Sequence, residues 1–521
     1  MSAIRELLQE IDAQRGLIHA YWKASRRLEE ALQSQGDYDL LVLPEDRHRW
    51  EEALHRRGFQ KFRPRRTQDL EEMAHYVGIF QGQLIHLHLH FSPLSGEYDV
   101  WEYAFGTSSQ ALRHRVLHAG FQVYCLRPEL EFLLLLLRSV GEPKMGGFFS
   151  LSSKAQQDLD FIWEEISIEN LAELFQEYNL PAELFSLLKS AKDLEQSMGE
   201  EKLLRDIYPF LKGSLSQFQR ISSQRRQQLH LRRQALGYAE VLSTKATPAL
   251  LPSFRQQRKL RATDRGLFVA IVGPDGAGKS TLTVALKTWL DEALDVEQIY
   301  LGKGNLVSTI WQGLAEVKWT LLEAAGKERP QPKEVATPEE VQDLDIEAEL
   351  ERVHALSGAS SFEEKRTPLR EHVWELSRVS QALRQLRKSR QARKERDKGR
   401  VVLTDRFPHH QERFGGGPAI QFSPEEGGLT RILGETERLL LTHLVTRQAP
   451  DVVIRLAISA EEAWKRKPDH NYEEIRQKVE AMERVRFPRS REFVLDSTEP
   501  FDEVLTKAKQ IIWDELQGVE R

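Results

Sequence analysis

One short segment, residues 273–280, constrains the fold of this chain more than any other. It reads Gly-Pro-Asp-Gly-Ala-Gly-Lys-Ser and stands between an apolar run, Leu267 to Val272, and a helix-like segment, Thr281 to Leu290. Glycines at this spacing allow a tight turn whose backbone N–H groups point at phosphate oxygens, and the positive end of the following helix adds to their field. The pattern predicts a strand, a phosphate-binding loop and a helix, and therefore nucleoside triphosphate binding.

The side chains of this segment are expected to divide the work of binding ATP and Mg²⁺. Lys279 would reach the β- and γ-phosphates, and the hydroxyl of Ser280 would bind Mg²⁺. The predicted triphosphate-binding residues are Gly273, Asp275, Gly276, Ala277, Gly278, Lys279, Ser280 and Thr281.

Composition narrows the class of protein. A chain of 521 residues is too long for one ordinary core, which favours two or three domains. A net charge of −5 gives no overall nucleic-acid signature, and the single cysteine, Cys125, excludes an internal disulfide. The most apolar stretch, Phe132 to Leu137, is too short to span a bilayer, and the amino terminus lacks the apolar core of a signal peptide. We expect a cytoplasmic protein without membrane or nucleic-acid partners, and the sequence leaves a homodimer open.

Three regions follow one another along the chain. Residues 1–215 predict an α+β unit, with strands at Tyr38–Leu43, Ala74–Phe80 and Leu84–Phe91, followed from about residue 127 by a helical subdomain. Residues 216–265 read as a basic linker. Residues 266–521 alternate strands and helices, which predicts an α/β fold with a parallel sheet covered by helices and a helical insertion at about 306–398.

The third region resembles the thymidylate kinase family of nucleoside monophosphate kinases. The resemblance rests on the loop with an acid at Asp275, followed in order by Val401–Phe407, Pro450–Ser459 and Lys465–Pro468. It covers about half of the chain. It implies ATP- and Mg²⁺-dependent phosphoryl transfer to a nucleoside monophosphate or a related phosphorylated small molecule.

The same resemblance implies roles for individual residues. Asp405 would order Mg²⁺ through water, Arg406 would hold phosphates near the point of transfer, and Asp275 would face the acceptor. Lys465, Arg466 and Lys467 would close over the phosphates as a lid. A surface ion pair is the alternative for Asp405 and Arg406, and a solvated helix end is the alternative for the lid cations.

Other segments near this site have both a functional and an ordinary interpretation. Tyr300–Asn305 stands where thymidylate kinases carry Arg-Glu-Pro-Gly, so preference for thymidylate is not expected, and Lys303 is either an acceptor contact or a surface lysine. Gly415–Pro418 is an acceptor loop or a plain connection. Asp496–Thr498 holds adenine or forms a turn. The basic run Arg384–Arg396 is a solvated helix face or a phosphate contact.

A second constellation lies in the first region. Asp37 and Asp39 are two residues apart at the start of an apolar strand, so both carboxylates project from one face, as a two-metal nucleotidyl-transfer site requires. The segment resembles the nucleotidyltransferase superfamily with the polymerase β type of fold. In that superfamily a Gly-Ser precedes the acids, and Lys23-Ala24-Ser25 occupies its place here.

The neighbouring strand is expected to be Ile85–His90. Alternation places His86, His88 and His90 on one face, where His88 would take the position of a third carboxylate and where His86 and His88 would face Asp37 and Asp39. Three interpretations remain: a degenerate substrate-binding relic, an active transferase with altered metal use, and solvated histidines on an ordinary strand.

The leading prediction is a kinase with a nucleotidyltransferase-like partner domain. One alternative is a nucleotide-gated regulatory or defence protein, in which the phosphate-loop region senses or hydrolyses ATP. The other is a nucleotidyltransferase whose substrate the kinase half prepares.

Overall fold

The fold is taken from a computed structural model of the chain. The structure describes residues 3–23, 26, 28–32, 37–64, 71–80, 82–96, 101–141, 153–198, 200–222, 224–229, 231, 259–302, 368–413, 416–423 and 428–518. Lys303, Gly415 and most of the predicted insertion, residues 303–367, lie outside these ranges.

A mixed sheet forms the centre of the N-terminal half. Its strands are β1 (His19–Tyr21), β2 (Asp37–Val42), β3 (Gln60–Pro64), β4 (Met73–Phe80), β5 (Gln83–His90), β6 (Leu94–Ser95), β7 (Tyr103–Ala104), β8 (Arg115–Leu117) and β9 (Tyr124–Leu126). All except β6 and β7 join the strand β10 (Leu260–Ala262) in eight-stranded order β10-β3-β4-β5-β2-β1-β9-β8. β2 runs parallel to β5, with Asp39 opposite His88.

Helices cover both faces of this sheet. They are α1 (Ala3–Arg15), α2 (Leu28–Leu32), α3 (Arg47–His55), α4 (Ser108–Leu112), α5 (Pro128–Gly141), α6 (Ser153–Glu165), α7 (Ile168–Glu177), α8 (Ala182–Asp193) and α9 (Glu201–Leu215). Tyr38, Leu40 and Val42 pack into the core beneath α1 and α3, whereas Leu41 joins the core formed by α5–α9. Alternation therefore directs Asp39 towards the α5–α9 side.

The C-terminal half is built on a parallel sheet flanked by helices, so the chain has the expected α/β character. Its strands are β11 (Leu267–Val272), β12 (Val296–Gln298), β13 (Val401–Thr404), β14 (Val452–Ala457) and β15 (Arg491–Asp496), in order β12-β13-β11-β14-β15. Its helices are α10 (Lys279–Leu290), α11 (Pro368–Asp397), α12 (Leu429–Arg447), α13 (Ala460–Arg466), α14 (Tyr472–Arg484) and α15 (Phe501–Gln517). β11 is buried along its whole length, as expected for the central strand of such a sheet.

The two halves share a hydrophobic core. Phe62, Val77 and Leu84 of the N-terminal sheet belong to the same cluster as Trp513 of α15 and the apolar residues of α10. The Phe62 and Trp513 rings stack with centroids 6.2 Å apart, and Trp513 Nε1 donates to the Gly58 carbonyl over 3.1 Å. The predicted linker, residues 216–265, contains the strand β10 near its end. This strand pairs antiparallel with β3 of the N-terminal sheet.

Candidate nucleotide-binding site and a second polar cluster

The predicted phosphate-binding loop joins the end of β11 to the start of α10. Gly276 and Gly278 both have φ of +84°, a left-handed conformation that L side chains rarely adopt. A Cβ at Gly276 would also stand 2.7 Å from the Ala463 carbonyl of α13. The loop therefore requires glycine at residue 276 for both backbone angle and packing.

Lys279 begins α10 and folds its side chain back into the loop. Its Nζ donates to the Pro274 carbonyl over 2.8 Å and lies 3.9 Å from Asp275 Oδ1. Burial lowers the pKa of Lys279 to about 8, against the opposing effect of Asp275. A buried ammonium held this way is a charge that phosphate oxygens would stabilise.

Ser280, in the first turn of α10, meets Asp405, which directly follows β13. β13 lies beside β11 in parallel register, which places Asp405 at the strand end next to the loop. Ser280 Oγ donates to Asp405 Oδ2 over 3.2 Å, while Asp405 Oδ1 is buried without a hydrogen-bond partner in the described chain. Hydroxyl and carboxylate oxygens are the ligands that Mg²⁺ prefers, so this pair fits the ion that the sequence predicts.

Asp275 pairs with a residue that sequence reasoning missed. Lys478, on α14, lies 3.1 Å from Asp275 Oδ2 and 2.6 Å from Glu474. Burial acts to raise the pKa of Asp275, but Lys279 and Lys478 outweigh it and hold the carboxyl below its usual range. The Glu474–Lys478 spacing marks a helical ion pair in the sequence, yet only the fold brings it to the loop.

The two predicted arginines lie at the rim. The Arg406 guanidinium is exposed, with its Cζ 5.9 Å from the Tyr300 ring centroid, and its charge reaches both Asp275 and Lys279. Arg466, at the end of α13, donates to the Ser497 carbonyl over 3.0 Å. The structure thereby brings a residue of the predicted lid onto the predicted adenine turn.

Two residues of the basic run on α11, Arg393 and Arg396, contact groups away from this site. Lys388 donates to the Tyr300 carbonyl, Arg393 to the Arg447 carbonyl, and Arg396 pairs with Asp451. Arg393 and Arg396 lie near Asp451, which precedes β14, whereas the phosphate-binding loop follows the end of β11. These two residues therefore lie away from the loop, and the prediction that they contact phosphate at the Asp405 site is not supported by their positions.

A second polar cluster lies in the N-terminal half, centred on Asp39. Its Oδ1 is 2.7 Å from Lys23 Nζ, 3.0 Å from His88 Nδ1 and 2.8 Å from His90 Nε2. The His75 ring stacks on His88 with centroids 4.0 Å apart. The expected meeting of Asp39 with His88 is confirmed, and the side chain of Asp37 lies outside the described atoms.

Burial rules out one of the interpretations of these histidines. His86, His88 and His90 are all buried, so they are not solvated side chains on an open strand. Burial lowers the pKa of His88 and of His90 to about 3, and both rings are neutral at physiological pH. Burial acts to raise the pKa of Asp39, but Lys23 and the two histidines leave it well below its usual range.

The donor set of this cluster partly suits a metal ion. One ligand atom from each of Asp39, His88 and His90 lies within 4.8 Å of the others, and His88 Nε2 and His90 Nδ1 have no hydrogen-bond partner in the described chain. Two imidazoles and a carboxylate suit Mn²⁺ or Zn²⁺ better than Mg²⁺. The Lys23 ammonium, however, already neutralises the carboxylate, so a cation would fit only with Lys23 displaced.

Two proteins of Escherichia coli strain K12 are similar to this chain over about half of it. The uncharacterized ATP-binding protein YghR is 28% identical over 250 residues, which cover 47% of this chain and 86% of that protein. The uncharacterized ATP-binding protein YghS is 27% identical over 253 residues, which cover 47% and 91%. No protein-family model matches the chain. Among the described residues, no helix is both long and apolar enough to cross a membrane.

Proposed function

We propose that the chain binds ATP at the 273–280 loop and transfers its terminal phosphoryl group to a nucleoside monophosphate or a related phosphorylated small molecule. The contact between Ser280 and Asp405 carries this proposal, with one Asp405 oxygen left without a hydrogen-bond partner among the described residues and the largely buried side chain of Lys279 in the same loop. The names of the two Escherichia coli relatives support its first part, ATP binding.

The residues divide the electrostatic work of transfer. Mg²⁺, held by Ser280 and by Asp405 through water, would neutralise charge on the β- and γ-phosphates. Lys279 leaves the Pro274 carbonyl for the phosphates, and Arg406 adds its charge at the rim where the transferred group passes. Arg466 is placed on the turn at Ser497 to cover the nucleotide and exclude water.

We propose that the phosphoryl acceptor binds beside the Asp275 side chain. Its carboxylate and Lys478 form a paired acid and cation beside the loop, which suits hydrogen bonding to a sugar hydroxyl and charge pairing with an acceptor phosphate. Because the Arg-Glu-Pro-Gly stretch is replaced, thymidylate should not be a markedly better acceptor than other monophosphates.

Purified protein incubated with γ-labelled ATP, Mg²⁺ and a panel of nucleoside monophosphates tests the proposal. We expect labelled diphosphate product from the unchanged chain and a fall in kcat of at least roughly 100-fold in Asp405→Asn, with ATP affinity little changed. Asp193→Asn, an exposed acid on α8, is the matched control and should keep full activity.

Three outcomes would contradict the proposal. Hydrolysis without transfer to any acceptor would favour the nucleotide-gated alternative. Unchanged kcat in Asp405→Asn would remove that residue from the reaction. Absence of ATP binding would reject the site.

For the N-terminal half, we propose a metal-free relic of a nucleotidyl-transfer site, because the Lys23 ammonium neutralises Asp39. In chains that carry Asp405→Asn, so that the loop site does not contribute, Mn²⁺ binding followed by electron paramagnetic resonance should be absent when Lys23 is kept and present in Lys23→Ala. Arg26→Ala, at an exposed residue near the same segment, is the control. Mn²⁺ binding by the Asp405→Asn chain that keeps Lys23, or label from the α-phosphate of an NTP on the protein, would favour the active transferase.

A further inference from the structure

A cavity of about 350 Å³ opens on the C-terminal half, away from the phosphate-binding loop. Its lining includes residues that precede strands in the chain: Arg265 precedes β11, Asp451 precedes β14 and Arg489 precedes β15. The arginines that line it are Arg265, Arg393, Arg396, Arg447 and Arg489. Ligand pockets commonly measure about 300–1,000 Å³, so this one is large enough for a small molecule.

Positive charge in this arginine pocket exceeds negative charge. Asp451 is the one carboxylate among the described lining residues, and it lies 2.7 Å from Arg396 Nη1 and 3.4 Å from Arg265 Nη2. Asp397, outside the lining, also pairs with Arg396. Among the residues that the structure describes, the guanidinium of Arg393 donates only to a neutral group, the Arg447 carbonyl, over 2.6 Å.

Two of the arginines have no partner at all among the described residues. The guanidinium groups of Arg447 and Arg489 make no hydrogen bond or ion pair there, and both side chains are exposed at the mouth of the cavity. Arg396, by contrast, is buried and fixed on both sides by carboxylates. The pocket thus has a rigid charged wall and a mouth lined by uncompensated guanidiniums.

We propose that the arginine pocket binds a small molecule carrying several phosphate groups. Guanidinium groups match phosphate oxygens with paired hydrogen bonds, and several of them converging on one cavity repel one another until an anion enters. A chain of linked phosphates distributes its charge over the distance that separates such side chains, which a single phosphate does not.

This site is separate from the proposed ATP site. β11 begins two residues after Arg265 and ends at the phosphate-binding loop, and a strand of six residues spans about 20 Å. A ligand in the arginine pocket therefore lies at the amino-terminal ends of the strands, whereas the phosphate-binding loop lies at their carboxyl ends. Such a ligand takes no part in phosphoryl transfer. Binding in the arginine pocket does not require that the chain be a kinase.

Isothermal titration with sodium tripolyphosphate at fixed ionic strength tests the proposal, in full-length chains that also carry Lys279→Ala to remove competition from the loop. We expect one saturable site, and a loss of affinity of roughly tenfold or more when Arg447→Ala and Arg489→Ala are added. Arg387→Ala with Arg390→Ala removes the same charge from exposed residues of α11 outside the cavity, and should leave affinity unchanged.

Four results would overturn the proposal. They are no binding in the Lys279→Ala chain, equal losses in both double variants, orthophosphate binding as tightly as tripolyphosphate, and a single-stranded oligonucleotide binding more tightly than either. The second result would mean general attraction to a basic surface, and the last would assign the pocket to nucleic acid. Circular dichroism of each variant shows whether the fold is retained.

Discussion

At the scale of single residues, the loop site is organised around a buried cation. Lys279 lies among Asp275, Arg406 and Asp405. Burial is the largest influence on the pKa of Lys279 and lowers that pKa to about 8. Burial has deprived the Lys279 ammonium of water, and a bound triphosphate would place compensating negative charge beside it. Binding should therefore raise the pKa of Lys279 and take up a proton from solution.

This coupling can be measured by calorimetry of ATP binding at pH 8 in buffers that differ in ionisation enthalpy. We expect uptake of about half a proton per ATP, because about half of the Lys279 side chains are neutral at a pH equal to their pKa. Apparent affinity should fall as pH rises from 7 to 9. Lys279→Ala should bind ATP much more weakly, and any residual binding should take up no proton. Equal proton uptake in both chains would contradict the assignment.

The buried histidines predict a second pH effect, on stability. The pKa values of His88 and His90 are about 3 in the folded chain, below the ordinary value of 6.5. The unfolded chain therefore binds more protons between these limits, and stability must be lost as pH falls from about 6.5 towards 3. Each histidine contributes a slope of about 1.4 kcal/mol per pH unit near pH 5.

Urea denaturation between pH 7 and pH 4 checks this effect. His88→Gln should reduce the slope of unfolding free energy against pH by about 1.4 kcal/mol per unit, since one titrating group is gone. His118→Gln, at a half-buried histidine between β8 and β9, is the control. A slope that His88→Gln leaves unchanged would mean that this imidazole is not buried in its neutral form.

Which of these residues the sequence predicts depends on how local their geometry is. Gly276, Lys279 and Ser280 act within one turn, so their spacing alone indicates their roles. Asp405 is predicted by a strand pattern together with a family resemblance. Lys478 and Lys23 reach their carboxylates only through tertiary packing, and nothing in their neighbouring residues distinguishes them from surface lysines.

At the scale of secondary-structure elements, a buried carboxylate joins segments from both sheets. Asp295, just before β12, lies 2.8 Å from Arg261 on β10 and 2.9 Å from Arg400 just before β13. Burial acts to lower the pKa of Arg400, but its acidic partners raise it above the ordinary value. This carboxylate holds an edge strand of the N-terminal sheet against the C-terminal sheet.

Asp295→Ala should lower the free energy of unfolding by about 3 kcal/mol, because it leaves two partly buried guanidiniums with fewer partners. Asp291→Ala is the matched control, since Asp291 lies nearby but is half-buried, and its ion pairs among the described residues are long contacts of 3.4 and 3.6 Å with lysines. Its loss should cost less than about 1 kcal/mol. Chemical denaturation of both variants measures the difference, and equal values would show that the Asp295 cluster is not structural.

Regular elements follow from local pattern more readily than short ones do. The apolar run Leu267–Val272 and the period-two alternation near Asp39 and His88 predict their strands within one or two residues. β10 is three residues long, Leu-Arg-Ala, and ends a basic stretch without alternation. Its pairing with β3 is decided by a partner about 200 residues away in sequence, so no local signal could reveal it.

At the scale of the whole molecule, the shared core predicts that the two halves unfold together. Trp513 is almost fully buried among residues of both halves, and truncating such a side chain typically costs about 3–5 kcal/mol. Trp513→Ala should therefore accelerate amide hydrogen exchange in both β4 and β11. Trp374→Ala, at a half-exposed tryptophan on α11, should affect neither strand. Faster exchange in β11 alone would show that the halves are independent.

The position of β10 has a consequence for the descent of such chains. This strand pairs with β3 of the N-terminal sheet, and its Leu260 and Ala262 also exchange backbone hydrogen bonds with Ala293, Asp295 and Gly399 of the C-terminal half. Only four residues, 263–266, separate it from β11 of the other sheet. A recombination event at this junction would leave each product with an unpaired strand edge or an exposed apolar face, both of which promote aggregation. We therefore expect the two halves to be inherited together. Exchange of one half between related chains should succeed only when the contact surface of the other half is exchanged as well.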